Sequence, residues 1–105
     1  MHLDGARLFN SAAALGVPAR VLVEGVDTVA ISLNKGLSAP FGALLCGSRK
    51  AVEAARINRG RIGGATIHKE GLLAAAGTVA LKKMVSRLGE DNRRARQLAC
   101  RLAEL

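Results

Sequence analysis

The sequence predicts an α/β fold: the edge of a mostly parallel sheet, flanked by helices and closed by a long C-terminal helix. Three observations carry this. Two short apolar runs, "DTVAISL" and "GALLCGS", stand between segments of helical periodicity. Half of the 105 residues are hydrophobic, but they are Ala, Leu, Val and Ile, with two Phe and no Trp or Tyr. Twelve glycines accompany them, and small residues let helices lie close on a sheet. The length suits one ordinary domain.

The elements follow in order. "MHLDG" reads as the end of a strand, with Asp4-Gly5 at its exit. "ARLFNSAAAL" puts Leu8, Ala12 and Leu15 on one helical face, and Gly16 stops it. "VPARVLVEGV", with Pro18 near its first turn, predicts a second short helix. "DTVAISL", between Asp27 and Asn34, predicts a buried strand, and "GALLCGS" a second one. "SRKAVEAARINRG" predicts a helix capped by Ser48 and stopped by Gly60. "RIGGATIHKEG" is a glycine-bearing loop. "LLAAAGTVALKKM" is apolar almost all round and is expected to be a buried helix. Val85, Leu88, Ala95, Leu98, Leu102 and Leu105 form the stripe of one amphipathic helix, and that stripe needs a surface to cover.

The formal charge of +8 raises nucleic acid as a partner. Most of the excess lies on two helical segments, "GSRKAVEAARINRGR" and "EDNRRARQLACR", with no aromatic platform for stacking bases. Solvated helix faces are the expectation, and nucleic acid is not. Cys46 and Cys100 form no CxxC and no Cys/His cluster, which excludes a zinc motif. Both are expected to be buried free thiols in a reducing compartment. The N-terminus has no signal-peptide pattern, and no apolar run reaches membrane-spanning length. A soluble, cytoplasmic protein with no membrane partner is expected.

The candidate chemistry centres on Lys35 in "SLNKGLSAPFGALLCGS". This lysine stands apart from other charges, at the end of a predicted strand, before Gly36, Ser38, Ala39, Pro40 and Gly42. Asp4 also sits where a strand ends, 31 residues earlier, which leaves room for a helical crossover. If the two strands are parallel, both residues emerge at the carboxyl edge, where open α/β sheets bind ligands. An ion pair is one reading of such an acid and amine. The other is pyridoxal phosphate, which takes a lysine amine as its Schiff-base partner and a carboxylate at its ring nitrogen. Desolvation would lower the pKa of such a lysine and raise the share of reactive free amine.

The blocks "HLDGARLFN" and "KGLSAPFG", continued through "AAAGTVAL" and "RLGEDNRRARQLACRLAEL", resemble the low-specificity L-threonine aldolases. These are fold-type I pyridoxal phosphate enzymes of the β-eliminating lyase group. The resemblance implies that Lys35 anchors pyridoxal phosphate, Asp4 pairs with the pyridinium nitrogen and Arg7 reaches the phenolate side. It implies that Ala6 packs near a ring face and that His2 supports the strand end. The implied reaction is retro-aldol cleavage of a β-hydroxy amino acid, L-threonine or L-allo-threonine, to glycine and acetaldehyde. The implied assembly is a homo-oligomer, a tetramer in full-length relatives. Another fold-type I lyase or transferase, and a non-catalytic interaction module using the basic helices, are the alternatives.

The family is several times longer, so the chain resembles an internal fragment of it. Residues 1–84 would be part of the cofactor-binding large domain, and 85–105 a helix leading toward a small domain. The phosphate-binding loop and the arginine for the substrate carboxylate would lie outside the chain. Three positions depart from the family pattern: Asn34 replaces a serine, Ile67 an arginine and His68 a glutamine. Loss of an arginine beside the site is expected to weaken cofactor or subunit contacts. An incomplete sheet should also leave an open edge and an uncovered apolar face.

Overall fold

The computed structural model describes residues 1–65 and 68–105. A three-stranded sheet of order β1-β2-β3 is built from β1 (His2–Asp4), β2 (Thr28–Ser32) and β3 (Ala43–Gly47). Helix α1 (Leu8–Leu15) and a 3₁₀ turn (Ala19–Val23) connect the first two strands. Helices α2 (Arg49–Arg61), α3 (Glu70–Lys83) and α4 (Leu88–Leu102) follow, with a 3₁₀ turn at Val85–Arg87 before α4. The α/β class and the long final helix are as the sequence predicts.

The sheet is mixed rather than mostly parallel. β1 and β2 are parallel, with Asp4 opposite Ala30, whereas β3 runs antiparallel to β2, with Leu45 opposite Ala30. Chain length explains the difference. The first connection holds a helix, but residues 33–42 are too few for a parallel crossover, so the chain must turn back.

Side chains alternate across β2. Val29 and Ile31 are buried with Leu8, and Leu3, Phe9, Ala19, Leu22 and Val23 pack around them. Thr28, Ala30 and Ser32, on the other face, are half-buried. A second cluster joins Leu33, Leu37 and Ala39 of the β2–β3 connection to Ala80 of α3 and Leu88 of α4. Leu88 is wholly buried and is the anchor of α4.

The helix termini follow local chemistry. Gly16 closes α1 at φ 67°, a conformation that costs glycine little. The Ser48 hydroxyl caps α2 by accepting from the Ala51 N–H at 3.3 Å. Helix α2 runs past Gly60 to Arg61, because Gly60 keeps helical geometry and the left-handed residue is Gly63, at φ 81°.

Several expectations of burial are corrected. Leu15 lies exposed at the end of α1, and in α3 Gly77 and Ala80 are buried while Leu72 and Val79 face solvent. The stripe of α4 is covered only toward its start: Leu98, Leu102 and Leu105 are exposed. Cys46 and Cys100 are exposed free thiols, not buried ones, since every residue of β3 and the far half of α4 is open. The cause is common to all of them: these surfaces have no second layer among the described residues.

Phe41, just before β3, and Leu44 and Leu45 within it are exposed as well. The chain by itself is therefore expected to associate, eluting above monomer mass in chromatography with light scattering. A monodisperse monomer with a sharp, reversible thermal transition would contradict this.

Candidate active site

The carboxyl ends of β1 and β2 open onto one rim, because neighbouring parallel strands leave the sheet in the same direction. Asp4 is the last residue of β1. Lys35 lies three residues beyond the end of β2, in the connection to β3.

Gly5 turns the chain from β1 into α1. Its N–H donates to the Ala30 carbonyl at 2.8 Å, and the Leu8 N–H donates to the Gly5 carbonyl at 2.9 Å. A Cβ at Gly5 would lie 2.6 Å from Val29 Cγ2, so only glycine lets this corner touch β2. Asp4 is exposed, and its Oδ1 accepts from the Ala6 N–H at 3.0 Å, which directs the carboxylate along the turn. Arg7 occupies the N-cap of α1 with no acidic residue in the first turn, a position where a cation gains from an anionic neighbour. His2 is further back on β1, and its Nδ1 is 2.9 Å from Thr28 Oγ1. That contact ties the beginnings of β1 and β2 together, away from the rim.

The lysine connection is closely held. Leu33 N–H donates to the Gly42 carbonyl at 2.9 Å, Ala39 N–H to the Leu33 carbonyl at 2.8 Å, and Ser38 N–H to the Lys35 carbonyl at 3.0 Å. Leu37, at 2 % exposure, and Ala39 are buried on either side of Ser38. Ser32 Oγ donates to Asn34 Oδ1 at 2.6 Å, so Asn34 braces the connection against the end of β2. Lys35 itself is exposed, and the desolvation expected of it is not supplied by these residues.

Ser38 adopts φ 60°, the left-handed region that a residue with a Cβ enters at a cost. Ser38→Gly is expected to stabilise the chain by about 0.5–1 kcal/mol, the strain relieved less the extra chain entropy of glycine. A higher urea midpoint at unchanged slope checks this.

Asp27 is held below the usual carboxylate range by the hydrogen bond and charge of the Met1 ammonium. It precedes β2, at the opposite end from Lys35, and takes no part in the rim. His68 is exposed in the turn before α3. Ile67 lies outside the described residues.

The structure adds two residues that sequence reasoning does not single out. Asn10 Nδ2 donates to Asn92 Oδ1 at 3.2 Å, and Asn92 Nδ2 donates to the Asn10 carbonyl at 2.9 Å. The Asn10 carboxamide also lies against Gly36. At a sequence separation of 82, no local pattern reveals the pair.

Asp4 and Lys35 thus lie on the segments that leave the carboxyl ends of β1 and β2, and an amine with a carboxylate at such an edge is the kind of pair that pyridoxal phosphate takes at its carbonyl and ring nitrogen. Among the described residues no His/Cys/Asp/Glu cluster could hold a metal ion. No described helix is long and apolar enough to cross a membrane.

Known proteins similar to this chain are named threonine aldolases. Low-specificity L-threonine aldolase 1 of Arabidopsis thaliana is 43% identical over 99 residues, covering 94% of this chain and 27% of its own length. The low specificity L-threonine aldolase of Escherichia coli K12 is 40% identical over 104 residues, covering 99% of this chain and 31% of its own. A crystal structure of a candidate L-allo-threonine aldolase from Listeria monocytogenes superposes with a TM-score of 0.85 at 30% identity, over 95% of this chain and 28% of that one. The chain thus spans less than a third of the length of these relatives. The family model for β-eliminating lyases matches residues 1–105, from the Asp4 turn through the Lys35 connection to the end of α4, and the chain belongs to that family.

Proposed function

We propose that this chain is the cofactor-anchoring portion of a pyridoxal-phosphate-dependent L-threonine aldolase. The observation that carries the reading is the parallel register of β1 and β2, which sets Asp4 and the Lys35 connection at one edge of the sheet. Relatives named for this activity match nearly the whole chain.

When bound, pyridoxal phosphate supplies an electrophilic carbonyl and a protonated ring that accepts the electron pair released as a Cα–Cβ bond breaks. Lys35 would supply the primary amine that anchors the group and that the substrate amine would replace. Asp4, exposed at the strand end, would hold a proton on the ring nitrogen through a charge-assisted hydrogen bond. Arg7 would balance negative charge on the phenolate side, and Ala6 would offer a small surface to the ring face. His2 holds the two strand beginnings together through Thr28. The substrate class is β-hydroxy amino acids, with L-threonine and L-allo-threonine cleaved to glycine and acetaldehyde. The exposed apolar residues of β3 and α4 support assembly with further protein surface, a homo-oligomer in the complete enzyme.

The test is incubation with pyridoxal phosphate, borohydride reduction and peptide mass mapping. Incorporation concentrated at Lys35 is expected. Labels spread evenly over Lys50, Lys69, Lys82 and Lys83 as well would overturn the assignment and favour a non-catalytic interaction module.

A further inference from the structure

We propose that Asn92 is a positioning residue for Lys35, acting through Asn10, so that α4 sets the lysine connection against the Asp4–Arg7 corner. The inference rests on the role of Lys35 proposed above.

Asn10 belongs to the first turn of α1, three residues beyond Arg7. Its side chain donates to Asn92 Oδ1 at 3.2 Å, and Asn92 Nδ2 returns a bond of 2.9 Å to the Asn10 backbone carbonyl. Both residues are half-buried. The two bonds fix the plane of the Asn92 carboxamide, which uses both its acceptor and its donor on Asn10, while the Asn10 carboxamide is held through its Nδ2. The Asn10 carboxamide then rests on Gly36: a Cβ there would overlap Oδ1 and stand 3.1 Å from both Cγ and Nδ2. The brace therefore touches the residue that follows Lys35, while the start of its own helix is bound to β2 through Gly5.

Leu88 and Asn92 are one helical turn apart and lie on the same face of α4. Leu88 is buried against Leu33, Leu37 and Ala39 of the lysine connection. Helix α4 thus bears on the connection in two ways, directly through the apolar Leu88 and indirectly through Asn92, which holds the Asn10 that touches Gly36. The apolar contact supplies stability and tolerates rotation. The paired amides are directional, so they set an angle. Removing one partner leaves a half-buried amide unsatisfied and frees Asn10 to move off Gly36.

The test compares Asn92→Ala and Asn92→Asp with the unaltered chain and with Leu22→Ala. Asn92→Asp keeps the size but loses the donor to the Asn10 carbonyl. Leu22→Ala truncates a side chain of the other cluster and controls for general loss of stability. The readouts are the ratio of trapped pyridoxal phosphate at Lys35 to that at Lys82 and Lys83, its pH profile, and the urea midpoint. Both Asn92 variants are expected to lower the ratio about fivefold and displace its pH profile. Leu22→Ala is expected to lower the urea midpoint at least as far while leaving ratio and profile in place. An unchanged ratio in both Asn92 variants, with Lys35 still selected in the unaltered chain, overturns the positioning role and leaves the proposed function standing. An equal fall in Leu22→Ala assigns the effect to stability and also overturns it. Failure of the unaltered chain to select Lys35 removes both readings.

Discussion

Lys35→Ala is expected to abolish site-selective incorporation of pyridoxal phosphate, lowering trapped label on the peptide spanning residues 30–40 by at least about tenfold. The size of the effect follows from chemistry. A Schiff base needs a primary amine, and no other residue of the connection carries one. Lys35→Arg is expected to fail equally, since a guanidinium stays protonated and keeps the charge without the nucleophile. Neither change should unfold the chain. Lys35 is exposed, and the connection is held by Leu33, Leu37 and Ala39, so the urea midpoint should shift by no more than about 0.5 kcal/mol. Undiminished trapping in Lys35→Ala would place the reactive amine elsewhere.

The largest loss of stability is expected from Leu88→Ala, about 3–5 kcal/mol. Leu88 is the side chain with no exposed surface, and it meets α3 and the lysine connection together. Neighbours on α3 and on the connection cannot all collapse into the space left by its removal, which sets the cost toward the upper part of that range. Against the roughly 5–15 kcal/mol that holds a typical native protein folded, this is a large loss. The loss should concentrate at the site. Amide exchange at Ser38 and Ala39, whose N–H groups donate to Lys35 and Leu33, should quicken more than exchange in β2. Leu98→Ala, at a residue 60% exposed on the same helix, is expected to be nearly neutral. A similar loss from both would mean that α4 is held along its whole length and not at its start.

Much of the local structure was legible in the residues. Periodicity located all four helices, Ser48 marked the start of α2 and Gly16 the end of α1. The two strands of β-branched and apolar residues stand where the runs "DTVAISL" and "GALLCGS" put them. Burial was less legible. An apolar stripe records what a helix face prefers, not whether a second layer reaches it. Leu72, Val79, Leu98 and Leu102 therefore read as core and are exposed here, and Cys46 and Cys100 with them.

By itself, the order of residues determined the class of fold, the family and the pair Asp4 and Lys35 as the candidates for chemistry. Those features are written in spacing and residue type, which the linear chain carries in full. Only the tertiary structure decided that β3 turns back on β2, that Gly5 must meet Val29 without a side chain, and that Asn92, at a sequence separation of 82, holds the Asn10 carboxamide that lies against Gly36. Contacts of that kind depend on how elements close on one another in space, and hydrogen bonds between distant asparagines leave no period in the sequence to reveal them.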